Sequence, residues 1–343
     1  MSVKLPTTRY YGSKRRFASF LENEFSKYSF DTVFDGFGGT ASVSIILASM
    51  GKQVTYNDFF RFNRITAQVL LNNRNALNVD EAKKMLKSIK PFEGVVSKNF
   101  DGIFYTASEN KWLDGCIQYL QGHKNEKEKL AFMYCLFQAC LKKRPFNLFH
   151  RANLSLRQRK VPRSFGNLTT WNTSFQKHII SSLQELQSLE YSFSKKPNVL
   201  SEQDIMKVKP SYDLVYLDPP YVSSNGYTDN YNRKYHFLEG LSNYDNWQAR
   251  IDYTSPVKEL KCSQVIKQWN DPKTSKDLLF DLVCKHKSSI VILSYSENGR
   301  PSLEEIRKEF KSKFDKVRVK RIETTYALGS KSQTEILITG LPK

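Results

Sequence analysis

Residues 212–221 read Tyr212-Asp213-Leu214-Val215-Tyr216-Leu217-Asp218-Pro219-Pro220-Tyr221, and their reading decides the fold. The approach to Asp218 is apolar, with β-branched and aromatic side chains, which is the pattern of a buried strand. Two prolines stop it at once, because neither donates to a β-ladder and each fixes φ. An acid at the carboxyl end of a buried strand is where an open α/β sheet meets its ligand. The rigid pair also holds a carboxylate, a backbone carbonyl and an aromatic ring together. Two acceptors and a stacking face suit a planar base with an exocyclic amine. Taken alone, the same residues also describe a strand end closed by a Pro-Pro turn.

Upstream, Thr32-Val33-Phe34 predicts a strand that runs into Asp35-Gly36-Phe37-Gly38-Gly39-Thr40 and then a small-residue helix over 41–50. Glycines between strand and helix let the backbone approach a ligand and aim helix N–H groups at it. A second strand, Gln53-Val54-Thr55-Tyr56, ends in Asn57-Asp58, and a helix over 63–73 closes the unit. An acid about 20 residues after the glycine turn is where α/β nucleotide folds hold a ribose. Before it, Arg9-Tyr10-Tyr11-Gly12-Ser13-Lys14 forms an aromatic and cationic turn, and Phe17, Phe20, Leu21, Phe25 and Tyr28 follow at helical spacing. The βα rhythm breaks over about 90–191, where an all-round apolar helix at 130–141, a basic stretch and an amphipathic helix with Phe175, Ile179, Leu183 and Leu186 stand instead. The rhythm resumes at Asn198-Val199-Leu200, with Asp204 soon after. Residues 222–255, with Tyr227, Tyr231 and Tyr235 four apart, read as a mobile cover or as a static surface loop with a short helix. A strand at 288–295, a helix opened by a Ser302/Glu305 capping box and a hairpin over 316–339 complete the pattern.

The chain has 343 residues, 40% hydrophobic, with 23 Phe and 18 Tyr, enough for one large enzyme domain with an insertion or for two domains. No segment nears the roughly 20 apolar residues of a membrane helix, and Met1-Ser2-Val3-Lys4-Leu5-Pro6 holds no apolar signal core. The cysteines at 116, 135, 140, 262 and 284 show no metal-type pairing, and their odd number argues against a disulfide framework. A cytoplasmic protein with no metal and no membrane association is expected. Net charge is +19, common in proteins that hold a polyanion. Residues 129–184 contain no acid, and Lys142, Lys143, Arg144, Arg151, Arg157, Arg159, Lys160 and Arg163 crowd a short segment with Phe146, Phe149 and Phe165. Such a run is either a nucleic-acid surface or a solvated cationic face.

Together these motifs resemble the Dam-type (alpha-class) family of adenine-N6 DNA methyltransferases, in the order cofactor motifs, target-recognition insertion, catalytic motif. Asp218-Pro219-Pro220-Tyr221 looks like the catalytic motif, and Phe34-Asp35-Gly36-Phe37-Gly38 like the cofactor turn. Tyr10-Tyr11-Gly12-Ser13-Lys14 is similar to an N-terminal motif of that family, with Ser13 in place of a glycine. The resemblance places Asp58 on the ribose and Asp204 on the adenine of S-adenosylmethionine. Residues 144–171, with Asn147, Arg151 and Asn153, are similar to a DNA-contacting hairpin, though here the departure is larger. It implies an α/β, Rossmann-like S-adenosylmethionine-dependent methyltransferase fold. Residues 1–89 and 192–343 would form the catalytic domain and 90–191 an inserted, mainly helical target-recognition subdomain. It further implies duplex DNA as substrate, a monomer in solution and a cognate restriction endonuclease as an eventual partner. For DNA it points to Lys142, Lys143, Arg144, Asn147, Arg151, Asn153, Arg157 and Arg159.

The chemistry of the residues agrees. An adenine amino group is a poor nucleophile because its lone pair is delocalised into the ring. Acceptors at Asp218 and the Pro219 carbonyl favour a more tetrahedral nitrogen, Tyr221 offers a stacking face, and a base inside a duplex must flip to reach them. Methylation of RNA adenine and DNA binding by a decayed site remain as other readings. The expectation for the structure is that Gly36 and Asp218 share one edge of the sheet and one pocket.

Overall fold

β1 (Thr32–Asp35) and β4 (Leu214–Leu217) lie side by side and parallel, and the rest of the sheet grows outward from them. On one side come β2 (Gln53–Tyr56) and β3 (Asn198–Val199), also parallel. On the other side β6 (Ile290–Ser296) is parallel, and β9 (Ser332–Leu341) and β8 (Lys316–Thr325) close the sheet as an antiparallel hairpin. The order is β3-β2-β1-β4-β6-β9-β8, and β5 (Val222–Ser223) pairs separately with β7 (Gly299–Arg300). The chain winds one way from β1 and the other way from β4, so the β1/β4 boundary is the topological switch point. The computed structural model describes residues 3–7, 10, 12–159, 168–201, 204–223, 230–325 and 332–343.

Strand alternation splits the core between two faces. Val33, Leu214, Tyr216 and Ile292 point to one cluster, and Phe34, Val215, Leu217, Val291 and Leu293 to the other. The second face is covered by helices Gln264–Asn270, Pro272–Lys285 and Leu303–Lys313, the last opened by the expected Ser302/Glu305 capping box. The first face meets helices Ser42–Ser49 and Arg61–Asn72, and its apolar cluster continues into the helices of residues 79–187. Glu126–Lys142 is the centre of that layer. Asn125 caps its first turn, Glu126 and Glu128 suit the positive helix end, and residues 131–141 are all buried. A helix packed from every side is apolar all round. Among the described residues no helix is long and apolar enough to cross a membrane.

Within residues 222–255, the described residues from 230 on correct the reading as a cover or as a surface loop with a short helix. Tyr231–Ser242 is a helix of the core layer, with Tyr235, Phe237 and Leu238 fully buried, and Trp247 follows it into the same cluster. Its polar-looking composition hid this, because buried Asn232, His236 and Glu239 are partnered inside the protein. Tyr227 lies outside the described residues.

Candidate active site

A cleft of about 1020 Å³, its open mouth included, lies at the carboxyl ends of β1 and β4. Gly36 and Asp218 both line it, as expected, and Gly36 N–H donates to the Tyr216 carbonyl across the strand pair at 3.0 Å. Close approach explains the two glycines. A Cβ on Gly36 would meet Ile205 at 2.6 Å, and one on Gly38 would run into the Tyr56 ring. The Ser42–Ser49 helix begins at the cleft without a side-chain cap, and Ser42 and Val43 line the wall. Uncapped N–H groups there favour an anionic ligand group.

Three acids ring this end. Asp35 accepts from Ser44 Oγ at 2.6 Å, while its Oδ1 is buried and unpartnered among the described residues. Burial pushes it up to about 7. Asp58 accepts from Phe60 N–H at 2.8 Å, Asn63 Nδ2 at 3.1 Å and Gly39 N–H at 2.9 Å. A carboxylate has about four acceptor sites, so one stays open for a ligand. Burial pushes Asp58 up to about 6 against those donors. Asp204 also lines the cleft and caps a short turn through Met206 N–H. Tyr10 stacks on Tyr235, with centroids 4.6 Å apart and planes at 6°, and forms another wall.

In the same cleft Asp218 is tied into a largely buried cluster. Tyr221 donates its hydroxyl to Asp218 Oδ1 at 2.7 Å, and Lys14 Nζ lies 3.0 Å from the same oxygen. Lys14 also pairs with Glu335 of β9. Burial pushes Asp218 up to about 6; Lys14 pulls against that shift and Glu335 adds to it. Burial would lower Lys14, but the two carboxylates outweigh it and raise it. Pro219 is buried, Pro220 lines the cleft, and the Tyr221 ring packs edge-on against Tyr295 at 5.1 Å.

Several expectations need correction. Phe34 is a core side chain on the far face of β1, stacked on Tyr212 at 5.1 Å, and does not reach the cleft. Lys14 lines the cleft, but its ammonium serves the carboxylates. Tyr11 lies outside the described residues. Sequence reasoning missed Glu335 and the wall supplied by Val265, Ile266 and Trp269, whose ring sits edge-on to Phe37. The signals were an acid beside the apolar Ile336-Leu337-Ile338 run and a tryptophan on an amphipathic turn, both weak.

The basic segment divides in two. Lys143 is buried, donates to the Trp171 and Thr173 carbonyls, and lies 2.9 Å from Glu109. Arg157 grips Glu109 through two bonds of 3.0 and 2.9 Å. Burial would raise Glu109, yet Arg157, Thr106 N–H and Lys143 hold it at about 2. Arg144 is fully buried, donates to the Leu148 and Arg151 carbonyls, and lies over the Phe104 ring at 4.3 Å. Asn153 is buried and donates to the Pro145 carbonyl. These four are therefore internal struts in place of the expected DNA contacts. Lys142 is half-buried and donates to Ser182, Asn147 is half-buried, and Arg151 and Arg159 are exposed. Phe146 stands 53% exposed beside them with φ at 63°, and Asn147 shares that left-handed backbone. No strand occurs among the described residues of 144–171, so the hairpin is replaced there by turns and short helices. Lys160, Arg163, Phe165 and Gly166 lie outside the described residues.

Comparison with known families decides the class. Residues 10–291 match the D12 class N6 adenine-specific DNA methyltransferases. The chain belongs to that family. It is also 24% identical over 313 residues to the Type II methyltransferase M2.HphI of Haemophilus parahaemolyticus, covering 88% of this chain and 87% of that protein. A D12 methyltransferase is an enzyme acting on adenine in DNA and needs a methyl donor, so the cleft and the Asp218 cluster are the two halves of its candidate site.

Proposed function

We propose that this methyltransferase moves the methyl group of S-adenosylmethionine to N6 of an adenine flipped out of duplex DNA, at one recognition sequence. The observation that carries the reading is Asp218 at the switch point, lining one cleft together with the glycine turn and Asp58. The cleft fits the donor. The orphaned Asp35 Oδ1 suits an ammonium, the open helix start suits a carboxylate, and Asp58 has an acceptor site left for a ribose hydroxyl. Gly36, Gly38, Tyr10 and Asp204 would complete that contact set. When bound, the donor supplies an electrophilic methyl on a sulfonium.

Asp218 and the Pro219 carbonyl would accept from the adenine amine and localise its lone pair. Asp218 would also take the surplus proton that the nitrogen sheds on gaining the methyl, the donor's sulfur keeping the electron pair of the bond it gives up. Sequence specificity and a partnered endonuclease fit the Type II naming of the relative. Residues 90–191 are assigned to target recognition, with Arg151, Arg159, Asn147 and Phe146 as the exposed or half-exposed candidates for DNA contact; an exposed aromatic is a common wedge between base steps. A monomer in the cytoplasm, acting on duplex DNA, is the corresponding proposal. Sequencing modified bases after incubation with duplex DNA, RNA and tritiated donor tests it: label in RNA but not in duplex DNA would overturn it.

Two expectations arise here. Donor binding should weaken as pH falls through about 6, because Asp58, held at about 6, then gains a proton and loses acceptor capacity. At pH 5 only about a tenth remains ionised, so Kd by calorimetry should rise roughly 10-fold from pH 7.5. Asp35, assigned to the ammonium, also gains a proton over this range, at about 7, so Asp58→Asn is the control: it should bind weakly already at pH 7.5 and keep only the further weakening that Asp35 supplies, and the parent's loss should exceed the share due to Asp58. Arg151→Ala should weaken DNA binding alike on cognate and scrambled duplexes and reduce the slope of log K against log salt by about one. An unchanged slope would remove Arg151 from the interface.

A further inference from the structure

Glu335 belongs to no motif, yet it is buried among the groups that hold Asp218. Ser294 Oγ on neighbouring β6 donates to its Oε1 at 2.6 Å. The same oxygen receives the Lys14 ammonium and lies 2.8 Å from the Tyr221 hydroxyl. That hydroxyl and that ammonium also reach Asp218 Oδ1, at 2.7 and 3.0 Å. Two donors thus stand between two carboxylates. A phenol has one proton to give, so Tyr221 serves one carboxylate at a time. Lys14 and Asp218 are already a neutral pair, so a second buried carboxylate is not needed to balance charge. Burying it is costly unless it does something for its neighbours.

We infer that Glu335 is a positioning residue that draws Lys14 and the Tyr221 hydroxyl toward β9 and leaves Asp218 Oδ1 to the amine of the target base. This rests on reading Asp218 as the acceptor of that amine. An oxygen capped by an ammonium is a poor acceptor for a neutral N–H, and Glu335 supplies the alternative seat for the cap. Among the described residues the ionisable groups that feel Asp218 include Lys14, Tyr10, Asp35 of β1, Tyr216 of β4, Tyr221 and Glu335, so the effect of Glu335 is read by difference.

The test uses Glu335→Gln and Glu335→Asp in the full chain. Carbon-13 carboxyl NMR of the donor-free protein should show the Asp218 titration midpoint moving down in the glutamine variant, by about one pH unit, since a like charge has gone and Lys14 turns wholly to Asp218. Single-turnover methylation should fall roughly 100-fold, with its acid limb shifted to lower pH and donor Kd unchanged. The aspartate variant should recover most of the rate. An Asp218 midpoint that stays in place in Glu335→Gln, or a rate loss matched by lost donor affinity and not recovered by aspartate, overturns the inference. If the glutamine variant does not fold, Ser294→Ala, which loosens Glu335, carries both readings, and no change in either overturns it as well. The NMR arm needs no turnover, whereas a parent that leaves duplex DNA unmethylated defeats the functional reading by itself.

Discussion

Asp218→Ala is expected to abolish methyl transfer while donor affinity stays within about threefold of the parent, a separation that follows from where the residue's contacts go. Asp218 touches Lys14 and Tyr221, whereas the contacts set out for the donor run through Asp35, Asp58 and the glycine turn of the same cleft. Loss of a half-buried acceptor for the reacting amine and its proton removes roughly 10³-fold or more in rate. The fold should not suffer, because Lys14 and Tyr221 keep Glu335 as partner. The sign of the stability change is also set. Asp218 titrates at about 6 in the native state against 3.8 for an unperturbed group. Below about pH 4 both states hold the proton and the group contributes nothing; above about pH 6 the native state carries the full cost of ionising it. Removing it should leave Tm at pH 8 unchanged or higher. Calorimetry, single-turnover assays and a melt on one preparation check all three, and lost donor binding would move Asp218 into the donor site.

The strands and the glycine turn were legible because their signals are local. β2 has the bounds read from Gln53-Val54-Thr55-Tyr56, and Asp218 ends its strand where two prolines force it to. What escaped depends on partners distant in sequence. Glu335 meets Lys14 across 321 positions, so nothing near either residue announces the pair. Tyr235 looked like loop composition until Tyr10 stacked on it. The basic run misled for the same reason. It contains no acid, but Glu109 arrives from another helix and takes up Lys143 and Arg157. Phe34 was carried into the donor site by its place in a motif, whereas strand alternation turns it to the opposite face.

Arg144 gives the correction of the basic run its sharpest test. A DNA-facing arginine replaced by alanine would change the salt slope and leave the melt alone. Arg144 should do the reverse, because its guanidinium is fully buried between the Phe104 and Phe149 rings and the Leu148 and Arg151 carbonyls. Burial pushes it down to about 10, so it remains charged at neutral pH and must be held by those groups. Arg144→Ala leaves two carbonyls without their donor and a cavity of side-chain size, costing about 3 kcal/mol or more. For a chain of this length that is a fall in Tm of roughly 4 °C. Arg144→Met keeps much of the apolar stem and should cost about 2 kcal/mol, the share of the hydrogen bonds. The Arg151 carbonyl is one of the two that Arg144 holds, so loosening the strut also frees the backbone of the exposed arginine. DNA affinity should therefore weaken in Arg144→Ala without the loss of one unit in salt slope that Arg151→Ala shows, since no phosphate contact is removed. A parental melt together with a reduced slope would return Arg144 to the DNA surface.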